Sequence, residues 1–393
     1  MKMVRRMVLR LNAVGLLLLA VLGPITMAAQ TNSTKGVALV IGNSNYNQGK
    51  LANASNDAHD ISEALKQLGF DVQLRQDLDL VGFKAAIQSF GQSVLSNGRV
   101  AVFYYSGHGI QVNGQNYLIP VDAEAMEAVE VPSKTISLQT VFDILGSRAA
   151  ANIVILDACR ANPFSSGPAT DWVSGLAQPT NPPPNSLIAF STSPGSLAAD
   201  GEGKHSPYTR ALLRYIRRPG QNTNELFTNV RADVESNSDM VQVPWENTSL
   251  SNPLMFRDPA LIKGQFTSAD DDALVLVNGQ QVLDWNQDGA SQKTIRLEGG
   301  VNSVVVKVYN QRSYTGGVQG LGGHLPEGWN YTLLLTEITG TPLIPVLSAG
   351  EDHPQDNGPH HGKLFTVATM KVTVDEDSGK ISVSGLDPNA WAH

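Results

Sequence analysis

Residues 100–109 read Val100-Ala101-Val102-Phe103-Tyr104-Tyr105-Ser106-Gly107-His108-Gly109, and residues 152–160 read Asn152-Ile153-Val154-Ile155-Leu156-Asp157-Ala158-Cys159-Arg160. Each stretch opens as a short apolar run and breaks off at small and polar residues. Unalternating runs of this length are strands buried on both faces, as in parallel sheets covered by helices. In an open parallel sheet, ligands gather beyond the carboxyl ends of the strands. His108 and Cys159 stand just past two such ends. Glycines on both sides of His108 let the backbone bend and let a substrate approach closely.

Outward from these two runs, strand and helix patterns alternate from Lys35 to about Asp258, the mark of an α/β domain. Val37 to Ile41 is a first buried strand. Ala58, Ile61, Leu65 and Leu68 lie at helical spacing within Asn56 to Leu68, and Gly69 stops that helix. Val72 to Leu74 is strand-like, and Phe83, Ile87, Phe90 and Val94 mark one face of a second helix. A hairpin is expected through Asn113-Gly114. Helices are expected at Leu138 to Leu145 and Tyr208 to Ile216, and a strand at Leu187 to Phe190. Between them, residues 161–185 form a loop rich in Pro, Ser and Gly. The domain closes with Val243-Pro244-Trp245 and Leu254 to Phe256.

Were the two central strands neighbours, the imidazole and the thiol would converge over one edge of the sheet. A thiolate there attacks a carbonyl carbon while the histidine manages the proton. Partial exposure and a nearby imidazolium favour the thiolate. The backbone N–H groups of Gly109 and Cys159 are the natural oxyanion donors. Cys159 is the single cysteine, which excludes intramolecular disulfides and multi-cysteine metal sites. Taken singly, each residue has a plainer reading: a buried small hydrophobe for the cysteine, and an ordinary loop residue for the histidine. Their order, with the histidine about 50 positions upstream, is what raises the pair above that level.

The combination Tyr104-Tyr105-Ser106-Gly107-His108-Gly109 with Leu156-Asp157-Ala158-Cys159-Arg160 resembles the caspase-like cysteine peptidases, in their metacaspase and orthocaspase branch. Asn162-Pro163-Phe164, Ser206-Pro207-Tyr208-Thr209 and Val243-Pro244-Trp245-Glu246 are similar to bacterial members. The resemblance covers residues 35–258. It implies a caspase-hemoglobinase fold, a mostly parallel sheet flanked by helices, and peptide-bond hydrolysis by a dyad of His108 and Cys159. Asp157 stands where caspases carry Gln, and an acidic pocket attracts Arg or Lys at P1. The metacaspase pattern adds Asp57, from Asn56-Asp57, and Ser106 to that S1 pocket. Asp57 also suits a helix N-terminus, where the dipole favours an acid. Asp200 is a further acid near these motifs, left out of the expected pocket. No cofactor is expected. Many metacaspases bind calcium, but here only Asp122 matches an acidic ligand position, and calcium needs six to eight oxygens. Residues 161–185 contain no Lys or Arg, so activity without cleavage in that loop is expected.

Residues 1–29 read as a signal peptide: Lys2, Arg5, Arg6 and Arg10, then an apolar run around Leu16 to Leu22, then Pro24 and the small Ala28 and Ala29. The apolar run is short for a membrane span, and Arg5-Arg6 loosely resembles a twin-arginine signal. Export, to the periplasm or beyond, is the expectation; a retained N-terminal anchor is the plainer alternative. Hydrophobic residues make up 41% and charged residues 16%, a globular composition. The net charge of -8, with no basic stripe, argues against a nucleic-acid partner.

Residues 265–345 change to short alternating strands and turns, which suggests a smaller all-β sandwich. The segment Asp271 to Gly279 followed by Val282, and later Gly300-Val301-Asn302 leading into Val304 to Asn310, resemble galactose-binding-like or PA14-like modules. Carbohydrate contact is one implied role, with Trp285 and Trp329 as candidate stacking residues, although core packing is the plainer place for them. Asp270 to Asp272 form a solvated turn or a calcium ligand group. Residues 346–362 read as a linker, and 363–393 as a hairpin that could join the sandwich. A second reading of the whole chain is a catalytically inactive caspase-like envelope protein, serving as a binding scaffold.

Overall fold

The computed structural model describes residues 35–97, 99–146, 149–158, 173–239, 241–269, 272–309, 327–339, 342–343, 347–353, 364–376 and 378–387. Cys159 lies outside the described residues, as do the expected signal peptide, Asp270, Asp271 and residues 161–172 of the Pro-rich loop.

The N-terminal region alternates strands and helices. In chain order these are β1 (Gly36–Gly42), α1 (Ala54–Gln67), β2 (Phe70–Gln76), α2 (Leu80–Asn97), β3 (Val100–Ser106), β4 (Gly109–Val112) and β5 (Gln115–Leu118). There follow α3 (Val131–Lys134), β6 (Ile136–Ser137), α4 (Leu138–Leu145), β7 (Ala151–Asp157), β8 (Val173–Ser174), β9 (Ser186–Phe190), α5 (Pro207–Tyr215), α6 (Thr223–Asn237) and β10 (Trp245–Thr248). The main sheet has the order β10-β9-β7-β3-β1-β2. Its inner pairs are parallel, and β10 closes one edge antiparallel to β9.

Strand β1 shows why both faces must be covered. Val37, Leu39 and Ile41 face a core made with Phe83, Ile87, Phe90 and Val94 of α2 and Phe142 of α4. Ala38 and Val40 face the opposite core, made with Ile61 and Leu65 of α1, Leu212 of α5 and Phe227 of α6. Alternate side chains of a strand point to opposite faces, so a sheet apolar on both faces requires two helical layers. Helix α6 has no counterpart in the expectations above, although Asn222 and Glu225 form a capping box that announces it. The expected hairpin is present: Asn113 and Gly114, with φ of 52° and 73°, join β4 to β5.

The C-terminal region is built from β11 (Ala260–Ala269), β12 (Asp272–Val277), β13 (Gln280–Asp284), α7 (Trp285–Asp288), β14 (Lys293–Leu297), β15 (Gly300–Tyr309), β16 (Glu327–Glu337), β17 (Leu347–His353), β18 (Leu364–Val374) and β19 (Ile381–Asp387). Two antiparallel sheets, β14-β11-β16-β17 and β13-β12-β15-β18-β19, share one buried cluster that includes Ile262, Phe266, Val275, Val306 and Leu335. Two boundaries differ from the sequence reading, and the hairpin follows one of its two alternatives. Strand β11 begins at Ala260, before the expected start at residue 265. Strand β17 occupies part of the expected linker 346–362, because it pairs with β16. The C-terminal hairpin is an integral part of its sheet through the pairing of β18 with β15. Trp285 opens α7, and its ring meets Phe266 edge-on at 6.4 Å.

Candidate active site

Parallel pairing of β3 with β7 sets Ser106 beside Asp157 at the ends of the two strands. His108 follows Ser106 by two positions, as Cys159 follows Asp157. The segment after β3 touches the segment after β7: a Cβ at Gly109 would lie 2.5 Å from the Ala158 carbonyl oxygen. Only glycine permits that approach.

His108 is 4% exposed and is held on every side. Its backbone N–H donates to Tyr46 Oη at 2.9 Å. Its carbonyl accepts from Tyr105 Oη at 2.8 Å and from the Ile119 N–H at 3.0 Å. The two phenol oxygens lie 3.1 Å apart, and the Ile119 carbonyl oxygen lies 3.2 Å from Tyr46 Oη and 3.1 Å from Tyr105 Oη. The Tyr46 ring stands edge-on to the imidazole with centroids 4.5 Å apart. A Cβ at Gly107 would lie 2.5 Å from Tyr105 Oη and 2.6 Å from Tyr46 Oη, so this clamp also requires glycine. Burial pushes both tyrosines above the ordinary phenol range, which keeps them neutral hydrogen-bonding groups.

The imidazole Nε2 lies 2.6 Å from the Gly49 carbonyl oxygen. A carbonyl only accepts, so Nε2 carries the proton and, in the neutral ring, Nδ1 carries the lone pair. The carbonyl thereby does for this ring what an orienting acid does in a catalytic triad: it fixes the tautomer.

Asp57, Ser106 and Asp157 come together and are fully buried. Asp57 Oδ1 accepts from the Ser206 N–H at 3.2 Å and faces His205 Nδ1 at 3.0 Å. Asp57 Oδ2 accepts from Ser106 Oγ at 3.4 Å. Asp157 Oδ2 accepts from Ser206 Oγ and, at 3.0 Å, from Thr209 Oγ1. Thr209 Oγ1 lies 2.6 Å from Tyr104 Oη. Tyr104 is pushed well above the ordinary range by burial, then by the charges of Asp57 and Asp157. Ser206 therefore spans the two carboxylates. It is also the N-cap of α5, with Pro207 in the first turn. Asp200, outside the expected pocket, accepts from the Ala52 N–H at 2.7 Å. Asp122 accepts from the Leu80 N–H at 3.0 Å, at the start of α2.

Sequence reasoning missed Tyr46, Gly49, His205, Ser206 and Thr209 as parts of this site. Ser206-Pro207 carried a readable helix-start signal. Nothing local to Tyr46 or His205 marks them, since their partners lie 59 and 148 positions away.

A parallel sheet between helices, with His108 and Asp157 at its strand ends and Asp57 in the first turn of α1, is an α/β scaffold whose candidate site lies beyond the carboxyl ends of the strands. The Caspase domain model matches residues 35–255, more than half of the chain, and the chain belongs to that family. It is 31% identical to human mucosa-associated lymphoid tissue lymphoma translocation protein 1 over 126 residues, which are 32% of this chain and 15% of that protein. The mouse homologue of that protein matches at 30% over 126 residues, with the same two shares. The chain thus spans only a small part of the curated relatives it matches. Among the described residues, no helix is long and apolar enough to cross a membrane.

Proposed function

We propose that this chain is a cysteine endopeptidase of the metacaspase and orthocaspase type, with Cys159 as nucleophile, His108 as base and a preference for Arg or Lys at P1. The observation that carries this reading is the close approach of Gly109 to Ala158, which brings the histidine segment against the residue preceding Cys159.

In this mechanism His108 Nδ1 takes the proton of the Cys159 thiol, while Nε2 stays bound to the Gly49 carbonyl. The thiolate attacks the scissile carbonyl carbon, and its oxygen gathers negative charge between the backbone N–H groups of Gly109 and Cys159. The imidazolium then gives its proton to the leaving amine, leaving a thioester that water hydrolyses. The reaction calls for no cofactor. Asp57 and Asp157, with Ser106 between them, form the S1 pocket that pairs with a basic side chain. The remaining expectations stand as part of the proposal: a signal peptide over residues 1–29, export, activity without cleavage in residues 161–185, and an accessory C-terminal β region that contacts carbohydrate.

The test is hydrolysis of fluorogenic peptides differing only at P1. Faster release after Arg and Lys than after Asp, lost in Cys159→Ala and in His108→Ala, is the expected result. Equal hydrolysis by Cys159→Ala, or preference for Asp, overturns the reading.

A further inference from the structure

The loop before α5 is stitched to the first turns of α1. Asn53 Nδ2 donates to the carbonyls of Asp200 and Gly201 at 2.7 and 3.1 Å. Lys204 Nζ binds Asp60 Oδ2 at 2.5 Å. The neighbouring His205 places Nδ1 3.0 Å from Asp57 Oδ1 and Nε2 3.1 Å from Asp60 Oδ2. Its side chain is 14% exposed, against 0% for Asp57 and 24% for Asp60. Both ring nitrogens thus face carboxylate oxygens.

A neutral imidazole donates through one nitrogen only, whereas an imidazolium donates through both. Protonation therefore fastens the ring to Asp57 and Asp60 together and sets a full positive charge beside Asp57. We propose that His205 is a specificity-determining residue whose protonation withdraws Asp57 from a basic P1 side chain, making recognition of that side chain weaker in acid. This rests on the reading of Asp57 as part of the S1 pocket.

The groups facing the ring act in opposite senses. Asp57 and Asp60, both from α1, favour the charged ring, while Lys204 on its own loop opposes it. His59 Nδ1 faces the other oxygen of Asp60 at 2.8 Å, and Asp157 of β7 is linked through Ser206. Burial is the largest influence and holds the His205 pKa below its ordinary value of 6.5. The ring is then neutral at neutral pH, the pocket keeps its negative charge, and the loss of affinity sets in on the acid side.

The experiment measures KM and kcat separately for a P1-Arg peptide from about pH 8 to about pH 5, the range of histidine titration. The full chain is compared with His205→Gln, which never charges, His205→Arg, which is always charged, and Asp60→Asn. The wild type should show KM rising about tenfold toward acid, the scale of one added charge a few ångströms from the ligand. His205→Gln should give a KM that no longer changes with pH over this range, and His205→Arg a high KM throughout. Asp60→Asn, which takes away one anionic acceptor, should move the rise to lower pH. A KM profile in His205→Gln that follows the wild type, or one unmoved in Asp60→Asn, overturns the inference. If the wild type shows no preference for P1 Arg over P1 Asp even at about pH 8, the pocket reading itself fails and the inference falls with it.

Discussion

Two hydroxyl groups around His108 bear on the proposed catalysis without any expected contact with substrate. Tyr46 Oη receives the His108 N–H, and its replacement by phenylalanine leaves a buried donor without that acceptor. Such a loss costs about 1–3 kcal/mol. Tyr46→Phe should lower thermal stability by that order and reduce kcat, with KM for a P1-Arg peptide little changed, since the residue touches the proposed base and not the proposed S1 acids. A fall confined to KM would contradict this role. The same phenols predict an alkaline signature. Their folded-state pKa values lie above the ordinary 10.0, so the unfolded chain releases these protons first. The stabilisation is intact below pH 10.0 and is lost as pH rises beyond it. Urea titrations of wild type and Tyr46→Phe above that point should show the variant losing stability less steeply. Gly109→Ala sets a methyl group 2.5 Å from the Ala158 carbonyl oxygen. One of the two segments must then move, and a shift near 1 Å in such a site costs about a hundredfold in rate. Hydrolysis of the P1-Arg peptide should fall by that order while the fold, followed by circular dichroism, persists.

At the level of elements, α5 links folding to the proposed recognition of a basic side chain through one residue. Ser206 caps the helix by accepting from the Thr209 N–H at 2.9 Å, and the same oxygen donates to Asp157. Ser206→Ala should cost about 1 kcal/mol through the lost cap and also raise KM for basic P1 peptides, with Ser206→Thr recovering both. Stability loss without any KM change would reduce Ser206 to a cap alone. The start of α5 was legible because Ser-Pro is a local signal, and the strands β3 and β7 because unalternating apolar runs end at glycine or charge. Their adjacency followed only from the argument that His108 and Cys159 should meet. Helix α6 was passed over although Leu226, Phe227, Val230 and Val234 share one face. Beyond them its sequence is mostly polar, which blurs the period. The pairing of His205 with Asp57 could not be read at all, since a contact across 148 positions leaves no trace in local pattern. The boundary at 258–265 and the linker at 346–362 failed for a related reason: β11 and β17 are strands by virtue of their partners, more than by their own alternation.

At the scale of the molecule, the C-terminal region is joined to the far end of the helix that carries Ser206. The turn after α5 receives Arg296 Nη2 at the Gly220 carbonyl, 2.7 Å away, and the Gly299 N–H at the Pro219 carbonyl, 3.1 Å away. Arg218 pairs with Glu376 at 3.2 Å. Arg257 reaches both the Arg217 carbonyl, at 3.3 Å, and the Glu376 carbonyl, at 3.0 Å. A Cβ at Gly379 would fall 2.6 Å from Arg257 Nη2, so the contact is close. The described residues of both regions belong to one compact unit. Each of these polar contacts contributes about 0.5–1.5 kcal/mol net, and together they anchor the C-terminal end of α5, whose N-terminal end spans Asp57 and Asp157. Deleting residues 259–393 should therefore lower the melting temperature of the remaining domain and raise KM for basic P1 peptides, with the larger effect on KM than on kcat. Calorimetry of the full chain should show one main transition. Two well-separated transitions, the first matching that of the shortened chain, together with an unchanged KM, would show that the C-terminal region hangs beside the caspase domain without bracing it.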